Sequence, residues 1–189
     1  MKKLFLMVAI AFTTLSMNAQ EDSKITVKAG IGMSSVVGDD VETDAVVSYK
    51  VGATYDFALS ENFSIIPGLE FATKGWKEDG IDGNISVSYL QLPVLAAYKF
   101  NLSDNMKLVV KAGPYVAYGI FGSDIDWYDG GSSNVFDICE RFDAGAVAGA
   151  SIEFGKYSIG LEYSRGLTKV VSDVKSYNQA YGLTLGYKF

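Results

Sequence analysis

Lys28, Glu70, Lys111 and Glu162 are the four residues of this chain whose type and placement invite chemistry. Each lies on the polar phase of a segment in which apolar and polar residues alternate. If that phase points into a closed sheet, the four leave water together, and buried charges must find partners. The chemistry expected of them is a structural network of ion pairs that fills an interior instead of lining a water-filled channel. Catalysis is not expected. Histidine beside a serine or an acidic partner is the usual route to general-base work, and the chain has no histidine, which leaves Asp, Lys or Tyr as a base. There is no glycine-rich phosphate cradle, nucleophile elbow or metal-spaced ligand set either. No catalytic, cofactor-binding or metal residue is therefore assigned.

The elements that must position the four are strands. Period-two alternation marks eight of them, at 24–35, 47–58, 63–75, 86–100, 106–121, 141–154, 157–167 and 177–189. The connections after the second, fourth and sixth are short: Leu59 to Asn62, Asn101 to Asn105, and Gly155-Lys156. The others are long and polar, the longest running from Gly122 to Glu140. Short turns on one side and long loops on the other are the signature of an outer-membrane barrel. Aromatic residues sort by depth as such a barrel requires. Phe57, Phe63, Tyr98, Phe100, Phe154, Tyr157, Tyr187 and Phe189 flank the short turns, while Tyr49, Phe71, Tyr118, Phe142, Tyr163 and Tyr177 lie toward the long loops, with aliphatics such as Val51, Val94, Val110, Leu161 and Leu183 between. The opposite phase carries glycines and nearly all the strand charges, including Lys50, Asp56, Lys74, Gln91, Lys99 and Asp143.

The expected fold is thus all-β, an eight-stranded antiparallel up-and-down transmembrane β-barrel, with room inside for side chains and little else. Two irregularities are anticipated. In the fourth strand Ser86, Ser88 and Gln91 cannot share a face, which predicts a bulge or twist near Tyr89 and Leu90. Pro67, Pro93 and Pro114 fall inside strands, where each removes a ladder donor, which predicts local bulging.

Residues 1–19 read as a secretory leader: Lys2 and Lys3, an apolar stretch from Leu4 to Leu15, and a small-residue end at Ser16-Met-Asn-Ala19. The domain division is a signal peptide at 1–19 and a barrel at 20–189. The leader's lack of a cysteine at its end argues against a lipid anchor. The single cysteine, Cys139, excludes an intramolecular disulfide and reads as a loop-edge thiol without a role. Without Lys2 and Lys3, 14 basic residues stand against 22 acidic ones, a formal charge of 14 − 22 = −8. Such a chain offers nothing to nucleic acid.

The segments YLQLPVLAAYKF (Tyr89 to Phe100), GPYVAYGIFG (Gly113 to Gly122), YSIGLEYSRGL (Tyr157 to Leu167) and the terminal GLTLGYKF together resemble the PorT-like outer membrane beta-barrel family. The resemblance covers essentially the whole chain after the leader. It implies an architecture of the OmpA and OmpX type and insertion by the barrel assembly machinery, which recognises a C-terminal aromatic strand. It carries no catalytic motif with it, and membership of a porin family does not require conduction.

The long loops are acidic: Asp39, Asp40, Glu42 and Asp44, then Glu78, Asp79 and Asp82, then Asp124, Asp126, Asp129, Asp137 and Glu140. They read as solvated loops with loosely held ions, the alternative being a divalent ion or a cationic partner. Trp76 and Trp127 are expected at the outer interface or at a binding surface. Arg165 breaks the outward phase of the seventh strand, either because the strand has ended or because it meets a lipopolysaccharide phosphate. The expected protein is a monomer in the bacterial outer membrane, without cofactor, in contact with lipid and lipopolysaccharide. Its role is structural or interactive and lives on the loops; the alternative is a narrow or gated pore for small solutes.

Overall fold

The computed structural model describes residues 24–38, 41–77, 81–82, 84–127, 132–171 and 175–189. The leader expected at 1–19, and Asp39, Asp40, Glu78, Asp79 and Asp129 of the acidic loops, lie outside the described residues. Eight long strands are present: β1 (Ile25–Gly38), β2 (Asp44–Tyr55), β3 (Phe63–Lys77), β4 (Ile85–Ser103), β5 (Met106–Gly122), β6 (Phe142–Phe154), β7 (Tyr157–Gly166) and β8 (Ser176–Lys188). Each pairs antiparallel with the next, and β8 pairs back with β1 along its full length, from Thr26↔Lys188 to Gly38↔Ser176. The sheet is a closed up-and-down barrel and has no free edge.

Register fixes its shape. The path Ala58↔Ser64↔Ala97↔Lys111↔Gly149↔Glu162↔Gly182↔Gly32↔Ser48 goes once round the wall and returns to its starting side of the sheet 58 − 48 = 10 residues away. Eight strands with a stagger of ten tilt by about 40°. The tilt brings Lys28, Lys50, Glu70 and Glu162 to one depth although they come from β1, β2, β3 and β7. Two-residue connections tighten one rim. In the Gly155-Lys156 turn Gly155 takes φ +55°, a left-handed conformation that costs glycine nothing.

The outward face is apolar and open. Ile31, Val47, Val51, Leu161, Leu185 and most of the aromatic residues of both bands are exposed, far more contiguous apolar surface than water tolerates and what a lipid-facing wall requires. Beside the short turns the aromatic rings pack on each other, Tyr157 on Tyr187 at 5.3 Å and Tyr187 on Phe189 at 5.1 Å between centroids.

The irregularity expected near Tyr89 and Leu90 is present, but β4 does not carry its extra residue. The odd-numbered residues of β4 from Ile85 to Lys99 are buried without interruption, so Val87 and Tyr89 point inward and Ser86 and Ser88 outward. The extra residue belongs to β5: Ser88 pairs with Phe121 but Tyr89 with Gly119, which leaves Ile120 over. The polar serines misled because their stretch of wall encloses an apolar interior. The prolines do not bulge the sheet. Pairings on both sides of Pro67 and Pro93 keep one register, with ladder bridges absent between Pro67↔Val94 and Glu70↔Gln91 and between Pro93↔Tyr115 and Ala96↔Ala112. The lost donors are absorbed by a gap in the ladder.

Another register break lies between β2 and β3, where Ala45↔Trp76 is followed by Lys50↔Ala72. Side chains close that seam. Thr73 Oγ1 accepts from Tyr49 N at 2.9 Å and donates to Tyr49 O at 3.2 Å. Ser34 Oγ of β1 does the same for Gly75, at 2.8 and 3.0 Å.

Candidate functional site in the barrel interior

Inward positions carry long charged side chains opposite glycines, and the register explains the pairing. Glu162 of β7 lies between Gly149 of β6 and Gly182 of β8, and Lys28 between Gly52 and Gly186. With no side chain from the glycines, the charged chains reach the barrel axis and meet. Lys28 Nζ lies 2.7 Å from Glu70 and 2.9 Å from Glu162, and Lys111 Nζ lies 2.7 Å from Glu162. A fifth residue joins them: Lys50 Nζ is 2.7 Å from Glu162 and 3.9 Å from Glu70. Both carboxylates and Lys28 are buried.

The room is specific. A methyl group built on Gly149 would sit 2.7 Å from Leu161 O and 3.0 Å from Glu162 Cγ. Gly149→Val is accordingly expected to push Glu162 off its lysines and to lower stability by about 1–3 kcal/mol, the usual cost of overpacking. An unchanged urea midpoint in lipid vesicles would show that the glycine row is not needed to seat the charges.

Toward the long loops a second group forms around Asp143. Its Oδ2 receives Lys74 Nζ at 2.8 Å, Tyr115 OH at 3.0 Å and Asn178 Nδ2 at 3.1 Å, and its Oδ1 receives Thr168 Oγ1 at 3.0 Å. Lys74 also lies over the Tyr115 ring, 4.3 Å from its centroid. Near the short turns Lys99 pairs with Asp56. The interior thus carries three ionic levels, two of them outside the four residues marked by the sequence. Lys50, Lys74 and Asp143 were on the same inward phase, but periodicity cannot say which inward charges will touch.

Above the Asp143 group the interior turns apolar. Val36, Trp76, Val87, Tyr89, Val135, Cys139 and Val170 belong to one buried cluster with Phe136 packed against it. The Gly122-to-Glu140 loop supplies part of this cap through a short 3-10 turn, Val135–Asp137, held by a reciprocal cap between Asn134 and Asp137. Gly119 of β5 receives the Phe136 ring: a methyl group there would lie 2.7 Å from it. Arg141 stacks over the same ring, 3.8 Å from its centroid. The backbone of Cys139, in the same segment, pairs with that of Val171 of the last loop.

A closed barrel with charged levels inside, aromatic bands outside and short turns at one rim has the architecture of a membrane-spanning outer-membrane domain. The family model described as outer membrane protein beta-barrel domain matches residues 18–172. The chain belongs to that family. Solved structures similar to this outer membrane barrel include neisserial surface protein A, NspA, at 13% identity over 90% of this chain and 100% of that one with a TM-score of 0.59. The outer membrane enzyme PagL matches at 14% identity over 87% of this chain and 99% of that one, TM-score 0.55. Ail, the attachment invasion locus protein of Yersinia pestis, matches at 16% identity over 88% and 99%, TM-score 0.44. At these identities the likeness is one of fold. No curated protein matches the chain.

Several surface expectations change in the outer membrane barrel. Trp76 is inside the cap and 6% exposed, not at the interface, because its even-numbered place on β3 faces inward. Cys139 is buried in the cap as well, not at a loop edge. Trp127 closes a short strand, Asp124–Trp127, that pairs with Ile81–Asp82 and Ser132–Asn134 in a separate small sheet. Arg165 still belongs to β7 and lies on the outward face, where its Nη1 donates to Gln179 Oε1 at 3.0 Å beside the Tyr177 ring. Of the loop acids, Asp124 accepts from Asn134 Nδ2 at 3.2 Å and Asp137 caps the Val135 turn, so both serve loop structure.

Proposed function

We propose that this outer membrane barrel is a non-catalytic structural and interaction protein of the PorT-like type, a monomeric scaffold that holds its long acidic loops outside the cell after a 1–19 leader has been removed. The observation that carries the reading is the double obstruction of the interior, by the ion cluster at mid-depth and by the apolar cap above it. A rigid, filled barrel leaves variable loops as the place where function can reside. The absence of histidine from the chain and the full burial of Asp143 and Lys74 favour a non-catalytic role. Arg165, a cation on the outward face two residues beyond Tyr163 of the outer aromatic band, suits contact with lipopolysaccharide phosphate. The barrel assembly machinery is the expected partner during insertion, through the terminal strand that ends on Phe189.

A narrow or gated pore is the second reading, favoured by the fact that one side of the cap is a loop segment and not barrel wall. Planar-bilayer conductance separates the two. The wild-type chain and its Lys111→Ala and Glu70→Ala variants are expected to remain silent, since the cap closes the lumen independently of the ion cluster. Discrete openings in either variant would assign the cluster to gating, and openings in the wild type would replace the scaffold reading by transport.

A further inference from the structure

Among the described residues the charges of the interior do not balance level by level. Lys74 is matched by Asp143 and Lys99 by Asp56. The central cluster, in contrast, sets three ammonium groups, of Lys28, Lys50 and Lys111, against the two carboxylates of Glu70 and Glu162. An uncompensated positive charge remains at mid-depth in a wall surrounded by lipid, where an unpaired charge is costly. Lys50 is the most exposed of the three. Among the described residues only Glu162 lies within hydrogen-bonding distance of its Nζ, which leaves donors unused.

Beside Lys50 lies a cavity of about 30 Å³ between wall glycines, whose polar lining includes Ser48, Lys50, Lys74, Gln91, Glu162 and Ser164. It has room for about two water-sized particles. Gln91 is buried to 1% exposure, and its Oε1 has no hydrogen-bond partner. The cavity borders the β2–β3 seam, where Tyr49 and Thr73 are joined through a side chain and not through a regular ladder.

We infer that this cavity is a binding site for a small monovalent anion of halide size, seated against the Lys50 ammonium and bridged by a water molecule to Gln91 Oε1. The site compensates the excess lysine and satisfies the orphaned amide oxygen, which no rearrangement of the two glutamates can do together. Size is part of the selection: a halide enters a space that a carboxylate-bearing metabolite or a phosphate ester overfills. The inference is independent of whether the barrel conducts.

The test uses the folded full-length barrel in detergent, with bromide as the probe. The line width of the bromide quadrupolar NMR signal is expected to broaden saturably with protein, and chloride is expected to reverse the broadening while gluconate, too large for the cavity, does not. Lys50→Met removes the excess charge and is expected to abolish the saturable broadening while the unboiled protein keeps its fast gel migration. Gln91→Leu, which loses the bridging oxygen and keeps the charge, is expected to weaken bromide binding by roughly tenfold. Absence of saturable broadening in the wild type would overturn the inference. So would broadening that persists in Lys50→Met, which would place bromide on surface lysines, or displacement by gluconate as effective as by chloride.

Discussion

Glu162→Gln is expected to be the most destabilising single substitution in this barrel. Glu162 is the hub of the central cluster, with Lys28, Lys50 and Lys111 all within 2.9 Å of its carboxylate. Neutralising it leaves three ammonium groups facing Glu70 alone. Breaking a buried ion pair by removing one partner costs about 3–5 kcal/mol because the other charge is stranded, and here three are affected. The side chain is nearly isosteric, so the loss is electrostatic and not a packing defect. Urea unfolding in lipid vesicles should show the midpoint falling accordingly. A specific rescue follows: Lys50→Met in the Glu162→Gln background returns the charge excess to the wild-type value, and part of the stability should return with it. Equal midpoints for Glu162→Gln and the wild type would mean that the lysines leave the cluster for the mouths of the barrel, and the filled-lumen account would fail.

The second large effect concerns the lid. Phe136 rests against Gly119 and under the Arg141 guanidinium, with Val135 fully buried next to it. Cys139 is 5% exposed and is the chain's single thiol, so it reports on the lid without an introduced label. In the wild type a water-soluble maleimide should react with it slowly. Gly119→Leu fills the seat of the Phe136 ring and Phe136→Ala removes the ring, and either should raise the rate of modification by a factor of about a hundred, the equivalent of weakening local closure by about 2.7 kcal/mol. The two variants disturb the lid from opposite sides, so agreement between them excludes a defect peculiar to one. Fast labelling in the wild type would show that the segment around Val135 does not rest on the barrel in solution. The conductance of these variants is informative in the same experiment: with the lid displaced, the ion cluster alone should keep the lumen shut.

The comparison of sequence with structure is clearest along β4 and β7. In β7 the alternation Tyr157, Ile159, Leu161, Tyr163 against Ser158, Gly160, Glu162, Ser164 places every side chain correctly, because one face meets lipid and the other a polar interior. In the outer part of β4 both faces break that contrast. Val87 and Tyr89 point inward to an apolar cap and Ser86 and Ser88 outward, so hydrophobicity no longer distinguishes inside from outside. The same inversion hid Trp76, and the cap hid Cys139, since a loop segment that folds back over the lumen has no periodicity to announce it.

By itself the sequence determined the strand count, the alternation of short and long connections, the two aromatic depths and the inward set of charges. These follow from local rules: side chains alternate along a strand, and a bilayer accepts only apolar groups on the outer face. Only the tertiary structure decided that the stagger is ten, that Lys50 joins Lys28, Lys111, Glu70 and Glu162, that Lys74 takes Asp143, and that residues Val135 to Cys139 cap the mouth. Those contacts join residues as far apart as Lys28 and Glu162, 134 positions along the chain. Which charge meets which depends on how far each strand slides past its neighbour as the sheet closes, a geometric sum over all eight pairings that no single segment contains.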